Sequence, residues 1–487
     1  MATTQRRKCW LTGKCGPLAA AGLWLCLSAR ADLFVAPHPN MGSARYVPQG
    51  RLFLLGTPGD SGRVASRSGA FSQDFTLDAA GAATIAVPAS QFLGPSGALS
   101  DQALRVSGAR VSGYFLNQVA GSADMSRVFD EAVLGMRYRV LAYSPPYPQL
   151  PAVRAQMSVT AVRDGTAVTV TPSVALDSGQ PPHAPFTLTL AAGQSVLYTA
   201  AGDLTGSLVS ASHPVAVFAG AQCAQVPPGA AFCDHLYSQM LPLERLSLYH
   251  VVPGTDRAGG EGNLVRVLAA HGGTSVAVNG GTPVVLGAGQ FHEIERAGHL
   301  DIISSRPVLV GQYLKGSALT GWGDPAFTVV PGTDQAQREY AYAVPSGAQA
   351  FADNVLNIAM PSSAVASLRL DGEPVSASFT PVPGTVYSVG HVAVRPGPGR
   401  IRADAPFVAT LSGYQWVASY HTLLGAPHAP GPEEVPSGPG GPGPSLEGMD
   451  GGMPASAWWG WWGWLAVAAL GWVGLRGRPL VRAPRRG

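Results

Sequence analysis

Three aspartates at matching places are the strongest candidates for chemistry in this chain. Asp124, Asp234 and Asp324 each follow a strand-turn pattern that closes one stretch of sequence, and Tyr138, Tyr249 and Tyr340 come 14, 15 and 16 residues after them. A carboxylate at a recurring loop position has two uses. It can accept backbone N–H bonds in a turn and so set the exit angle of the connector, or it can supply oxygen to a calcium ion at the junction between repeats. Calcium takes six to eight oxygens, and one aspartate per connector brings few of them. The sequence therefore favours the turn and predicts no cofactor, with calcium at Asp124, Asp234 and Asp324 as the alternative.

The remaining chemistry is sparse. Gly-x-Ser-x-Gly, P-loop and His-Glu-x-x-His patterns are missing, and no Gly-x-Gly-x-x-Gly opens a helix. Asp130-Glu131 and Glu433-Glu434 read as solvated pairs, and His213, His235, His271, His292 and His299 as polar surface residues at strand ends. Trp322 and Trp416 lie on loops, where an indole either stacks on a sugar or packs at a junction. No catalytic residue is predicted, and a secreted hydrolase, which would need groups converging from distant loops, finds no local support.

The elements that must hold these residues repeat. Ala103–Tyr114, Ser207–Phe218, Leu300–Gly311 and Arg400–Leu411 are variants of one phrase, and the steps from Arg110 to Pro214, Pro307 and Pro406 are 104, 93 and 99 residues. A period near a hundred means one module used four times. Within the second module, alternating Val and Thr around Asp164-Gly165 and Gly193 mark hairpins. Seven or eight such strands in about a hundred residues predict an all-β chain of tandem antiparallel sandwich-like repeats. A β-propeller-like ring is the alternative, though a hundred residues are too many for one blade. The repeats are drawn at about 46–118, 119–221, 222–315 and 316–425.

The ends set the compartment. Residues 1–31 read as a signal peptide, with basic Arg6, Arg7, Lys8 and Lys14, an apolar run and a small-x-small site at Ala29-Arg30-Ala31. Residues 426–456 are a Pro/Gly-rich linker, 457–475 a transmembrane or sorting-tail helix rich in Trp, and 476–487 a basic cytoplasmic tail. This three-part ending resembles the sorting tails of bacterial surface proteins, and a plain membrane anchor fits it equally well. The two ends hold ten of the 32 Lys and Arg and none of the 29 Asp and Glu. The exported part is therefore acidic, which argues against a nucleic-acid partner.

Export leaves Cys223 and Cys233, since Cys9, Cys15 and Cys26 go with the leader. Ten residues apart and flanking Pro227-Pro228-Gly229, they predict a disulfide across a surface loop. A zinc half-site with His235 lacks further ligands.

Ser212–Gly220, Cys223-Ala-Gln-Val-Pro, Cys233-Asp-His-Leu, Ser305–Tyr313, Gly323-Asp-Pro and Ala418-Ser-Tyr together resemble the N-terminal domain family of the IgG Fc-binding protein. The resemblance runs from about Arg51 to Gly425, and its paired-cysteine and Gly-Asp-Pro segments are the more specific. It implies an extracellular, non-enzymatic, β-rich binding region, without transferring antibody binding. The chain lacks the cysteine-rich repeats that follow this domain in the animal protein. The expectation is thus an exported cell-surface protein that recognises an extracellular protein or glycan. A structural envelope component that self-associates is the alternative.

Overall fold

The computed structural model describes residues 32–41, 47–144, 152–255 and 262–425. The expected signal peptide, linker, membrane segment and basic tail lie outside these residues. The described chain is nearly all β, as the alternating patterns predict. Thr166–Thr171 shows why: Thr166, Val168 and Val170 are buried while Ala167, Thr169 and Thr171 are half-exposed. Period-two burial of this kind requires a pleated strand.

One long strand organises each unit. In the second it is Leu208–Ala224, whose first half pairs with Gly135–Arg139 on one side and Thr166–Thr171 on the other, the latter extended by Phe186–Leu190. Its second half pairs with Ala155–Ala161, which is extended by Ser195–Ala200, and with Asp234–Gln239. Two half-sheets thus share one strand and fold over a common core. Leu300–Leu314 and Gly397–Gln415 do the same in the third and fourth units. In the first unit the long strand is broken into Leu104–Ser107 and Val111–Val119. The break comes at Gly108, whose φ of 102° suits glycine.

After each long strand the chain turns back into a short inner strand: Ser122–Val128, Asp234–Gln239, Ala326–Val330 and Ala418–Leu423. These four pack side by side around one axis, each against two neighbours. The units are therefore curled antiparallel sheets whose inner strands close into a ring. Two expectations need correction. The segments carrying Asp124 and Asp234 are strands rather than connectors. The repeat limits drawn at 118/119, 221/222 and 315/316 separate each inner strand from the long strand to which it is hydrogen-bonded. The first unit also begins earlier than drawn, with Leu33–Val35 paired to Leu104–Ser107.

Adjacent units interlock. Leu99–Ser100 of the first adds a strand to the edge of Ser195–Ala200 in the second. Arg266 of the third, its side chain 5% exposed, donates to Asp203 Oδ2 of the second at 2.7 Å and to Glu293 Oε2 of its own unit at 2.8 Å. Its guanidinium lies 4.2 Å from the Tyr143 ring centroid and 4.4 Å from that of Phe291. The ring closes where Tyr114 Oη donates to Ala341 O and Arg127 Nε donates to Gly425 O, both at 3.0 Å.

Removing Arg266 takes a buried cation from the part-exposed Asp203 and Glu293 and vacates the space against the Tyr143 and Phe291 rings. Arg266→Ala is expected to cost about 3 kcal/mol, read as a lower urea midpoint of the full-length chain. An unchanged midpoint would show that the clamp contributes nothing.

Candidate binding face

The inner strands bring the three aspartates to the ring axis, and there Asp124 accounts for all its acceptor capacity. Oδ1 accepts from the backbone N–H of Met125 (2.8 Å) and His421 (3.0 Å), and Oδ2 from those of Tyr237 and Phe327 (both 2.9 Å). Each unit supplies one donor. Burial pushes the pKa of Asp124 well above the ordinary carboxylate range, and the four N–H bonds pull it back. The side chain does accept N–H bonds, as expected, but from four strands rather than within one turn.

Asp234 is built similarly. Its Oδ1 accepts from Ala123 N (2.8 Å) and His235 N (2.7 Å), and its Oδ2 from Ser419 N (3.3 Å). Burial, and then the nearby charge of Asp324, push its pKa well up. Asp324 Oδ1 accepts from Ser317 N (3.1 Å) and Ser317 Oγ (3.3 Å), and burial pushes its pKa up to about 6. Asp324 N in turn donates to Ser419 Oγ of the fourth unit at 2.9 Å. A calcium ion would gain no oxygen from Asp124, whose lone pairs all face N–H groups. Among the described residues no group of three His, Cys, Asp or Glu is placed to hold a metal.

His235 corrects the surface assignment given to the histidines. It is fully buried beside the axis, its Nε2 is 2.8 Å from Asn117 Nδ2, and burial pushes its pKa down to about 3. His250 and His421 are buried and shifted to about 3 for the same reason. Nothing in the spacing of these residues distinguished a buried imidazole from an exposed one.

The axis has two ends that differ in character. Asp32 and Gly425, the first and last described residues, lie at one: Leu33 bridges Asp130, just past the inner strand of the first unit, and Gly425 meets Arg127. At the other end lie the four turns between long and inner strands, around residues 120–121, 225–233, 315–325 and 416–417. They touch one another. Gly316 N donates to Val226 O (2.9 Å), and Gly323 N to Gln415 O (3.1 Å). Trp322 and Trp416 meet edge to face with centroids 5.8 Å apart, so both packing at a junction and display on a loop apply to them. The Cys223–Cys233 disulfide forms, with an S–S distance of 2.07 Å, and closes the second turn.

This end is apolar. Trp416 is 69% exposed, Phe232 55% and Leu319 39%. Phe232 and Leu319 escape a reading of the sequence, although an aromatic residue beside a disulfide cysteine on a Pro/Gly-rich turn is a signal of a displayed side chain. The only charged residues of the four turns, Lys315 and Asp324, are buried, and Lys315 Nζ pairs with Glu295 at 2.8 Å.

Two outcomes follow from the axis. Asn at 124 would turn an NH2 group toward two N–H donors, so Asp124→Asn is expected to lose about 3 kcal/mol, clearly more than Asp324→Asn; equal losses in urea melts would refute the central role. The histidines govern acid response. Their native pKa values lie below the ordinary 6.5, so the unfolded chain binds protons that the native chain does not. Their stabilisation is complete above about 6.5 and is lost as pH falls toward about 3. The raised pKa of Asp324 acts oppositely, with stability gained as pH falls through about 6. His250→Gln should therefore reduce the acid loss by up to about 1.4 kcal/mol per pH unit between pH 6 and 4. An unaltered slope would mean that His250 titrates normally.

The family described as IgGFc binding protein matches residues 124–413. The IgGFc-binding protein of Homo sapiens is 29% identical over 287 residues, which is 57% of this chain and 5% of that protein. The chain thus spans about one twentieth of that relative's length. Among solved structures, a Ca2+-stabilized adhesin that helps an Antarctic bacterium reach out and bind ice is 12% identical, over 76% of this chain and 90% of that one, with a TM-score of 0.11. A tetra-tandem repeat from the extending region of a large adhesion protein is 14% identical, over 77% and 93%, with a TM-score of 0.09. Similarity that low carries no argument about fold or function.

Proposed function

The chain belongs to the IgGFc-binding protein family, and on that premise we propose that it is a non-catalytic protein of the cell exterior that binds an extracellular protein through the turns at one end of its ring. The observation that carries this reading is the gathering of four turns, one from each unit, on the end opposite both Asp32 and Gly425. Loops displayed on a rigid scaffold are where recognition concentrates, and the ring fixes these loops against one another. The disulfide supports an oxidising compartment. The leader and the anchor at 457–475 expected from sequence fit the same placement.

Antibody Fc, the ligand in the human relative's name, is the first to test, with mucins and other glycoproteins beside it. Full-length protein passed over immobilised IgG Fc and a mucin panel is expected to show saturable binding to at least one of them. No binding to any, together with self-association in solution, would contradict the proposal and favour a self-assembling envelope component.

A further inference from the structure

We infer that the contact made by this end of the ring is apolar and uncharged, anchored by Trp416 with Phe232 and Leu319, and that its partner is an uncharged apolar patch on a folded protein. The inference rests on the reading of the turns as the ligand face and specifies what that face accepts. Three observations carry it.

The first is the distribution of charge. The exposed residues of the turns, among them Ala120, Pro228, Ala231, Phe232, Leu319 and Trp416, are uncharged. Lys315 and Asp324 are 3% and 2% exposed. A partner dense in sulfate, sialate or phosphate would find no countercharge on the turns, and burying its own charges unpaired is costly.

The second is the state of the polar groups. Sugar recognition needs free hydrogen-bonding side chains beside the aromatic ring. Here Thr320 Oγ1 already donates to Trp322 O (3.0 Å), with Gly316 O a second acceptor at 3.3 Å, and Ser317 Oγ donates to Asp324 Oδ1 (3.3 Å). The Thr320 and Ser317 hydroxyls are thus engaged within their own loop, and Trp322 Nε1 is buried, which leaves hydrophobic surface as the main thing these turns offer. Trp is among the residues that carry most binding energy at protein interfaces.

The third is rigidity. Trp416 is braced by Trp322, whose loop is in turn tied by Asp324 to Ser317 and by Gly323 N to Gln415 O. Phe232 sits at φ 68° beside Cys233, held by the disulfide. Aromatic side chains fixed before contact lose less conformational freedom on binding, which favours them as anchors.

The test measures binding of full-length protein to immobilised IgG Fc and to mucins, native and enzymatically deglycosylated, for the parent chain, Trp416→Ala, Phe232→Ser and the exposed control Val285→Ala on the third unit. The expected result is at least a tenfold loss of affinity for Trp416→Ala and a clear loss for Phe232→Ser. Val285→Ala should leave affinity intact, and affinity should change less than twofold between 50 and 500 mM salt. Circular dichroism melts check that the variants remain folded. Three results would overturn the inference: binding that survives both tip substitutions, binding that falls steeply with salt, or mucin binding abolished by deglycosylation. Each of these leaves the broader proposal of a binding protein standing. No binding by the parent chain to any of these proteins would sink both.

Discussion

A single buried carboxylate holds the four units to one geometry. Asp124 receives one backbone N–H from each inner strand, so no unit can shift along the axis or rotate without leaving a donor unsatisfied in a dry interior. Such a loss costs roughly 1–3 kcal/mol per bond, which sets the tolerance of the whole ring. Asp234 likewise accepts N–H bonds from three units, and Asp324 N donates to Ser419 Oγ of the fourth. The turns at the tip inherit their relative positions from these bonds, because each inner strand begins where its turn ends.

Much of this was legible in the sequence, and what was not has a physical reason. The recurring Pro-Val phrase marked the long strands, and Val/Thr alternation marked Thr166–Thr171 and its partners, because one face of each is covered and the other wet. The inner strands escaped because they are covered on all sides. Ser122–Val128 is buried at every position while carrying Ser, Asp and Arg, so hydropathy has no period there. Asp124 was singled out by its place in the repeat, yet its donors Tyr237, Phe327 and His421 lie 113, 203 and 297 residues away. A turn was the natural local reading, and only the closed ring shows the alternative. The paired cysteines needed no such context, since ten residues and a Pro-Pro-Gly turn suffice to bring them together.

The same ring explains why four similar units display one distinct face. The bodies of the units are bound by their hydrogen-bond ladders and by clamps such as Arg266, which restrict what can change there. The turns at the tip carry the differences: a disulfide with Phe232 in the second unit, a short helical turn with Leu319 and Trp322 in the third, and Trp416 in the fourth. Family membership relates the chain to the IgGFc-binding protein. The described turns at the tip combine exposed apolar side chains with fixed positions.

The most direct test of the central claim is native-state hydrogen exchange at the amides of Met125, Tyr237, Phe327 and His421. If one carboxylate ties all four strands, these amides exchange only through global unfolding. They then share a single opening free energy, equal to that measured by urea. A cheaper opening at any one of them would show a unit leaving the ring independently and would contradict the account.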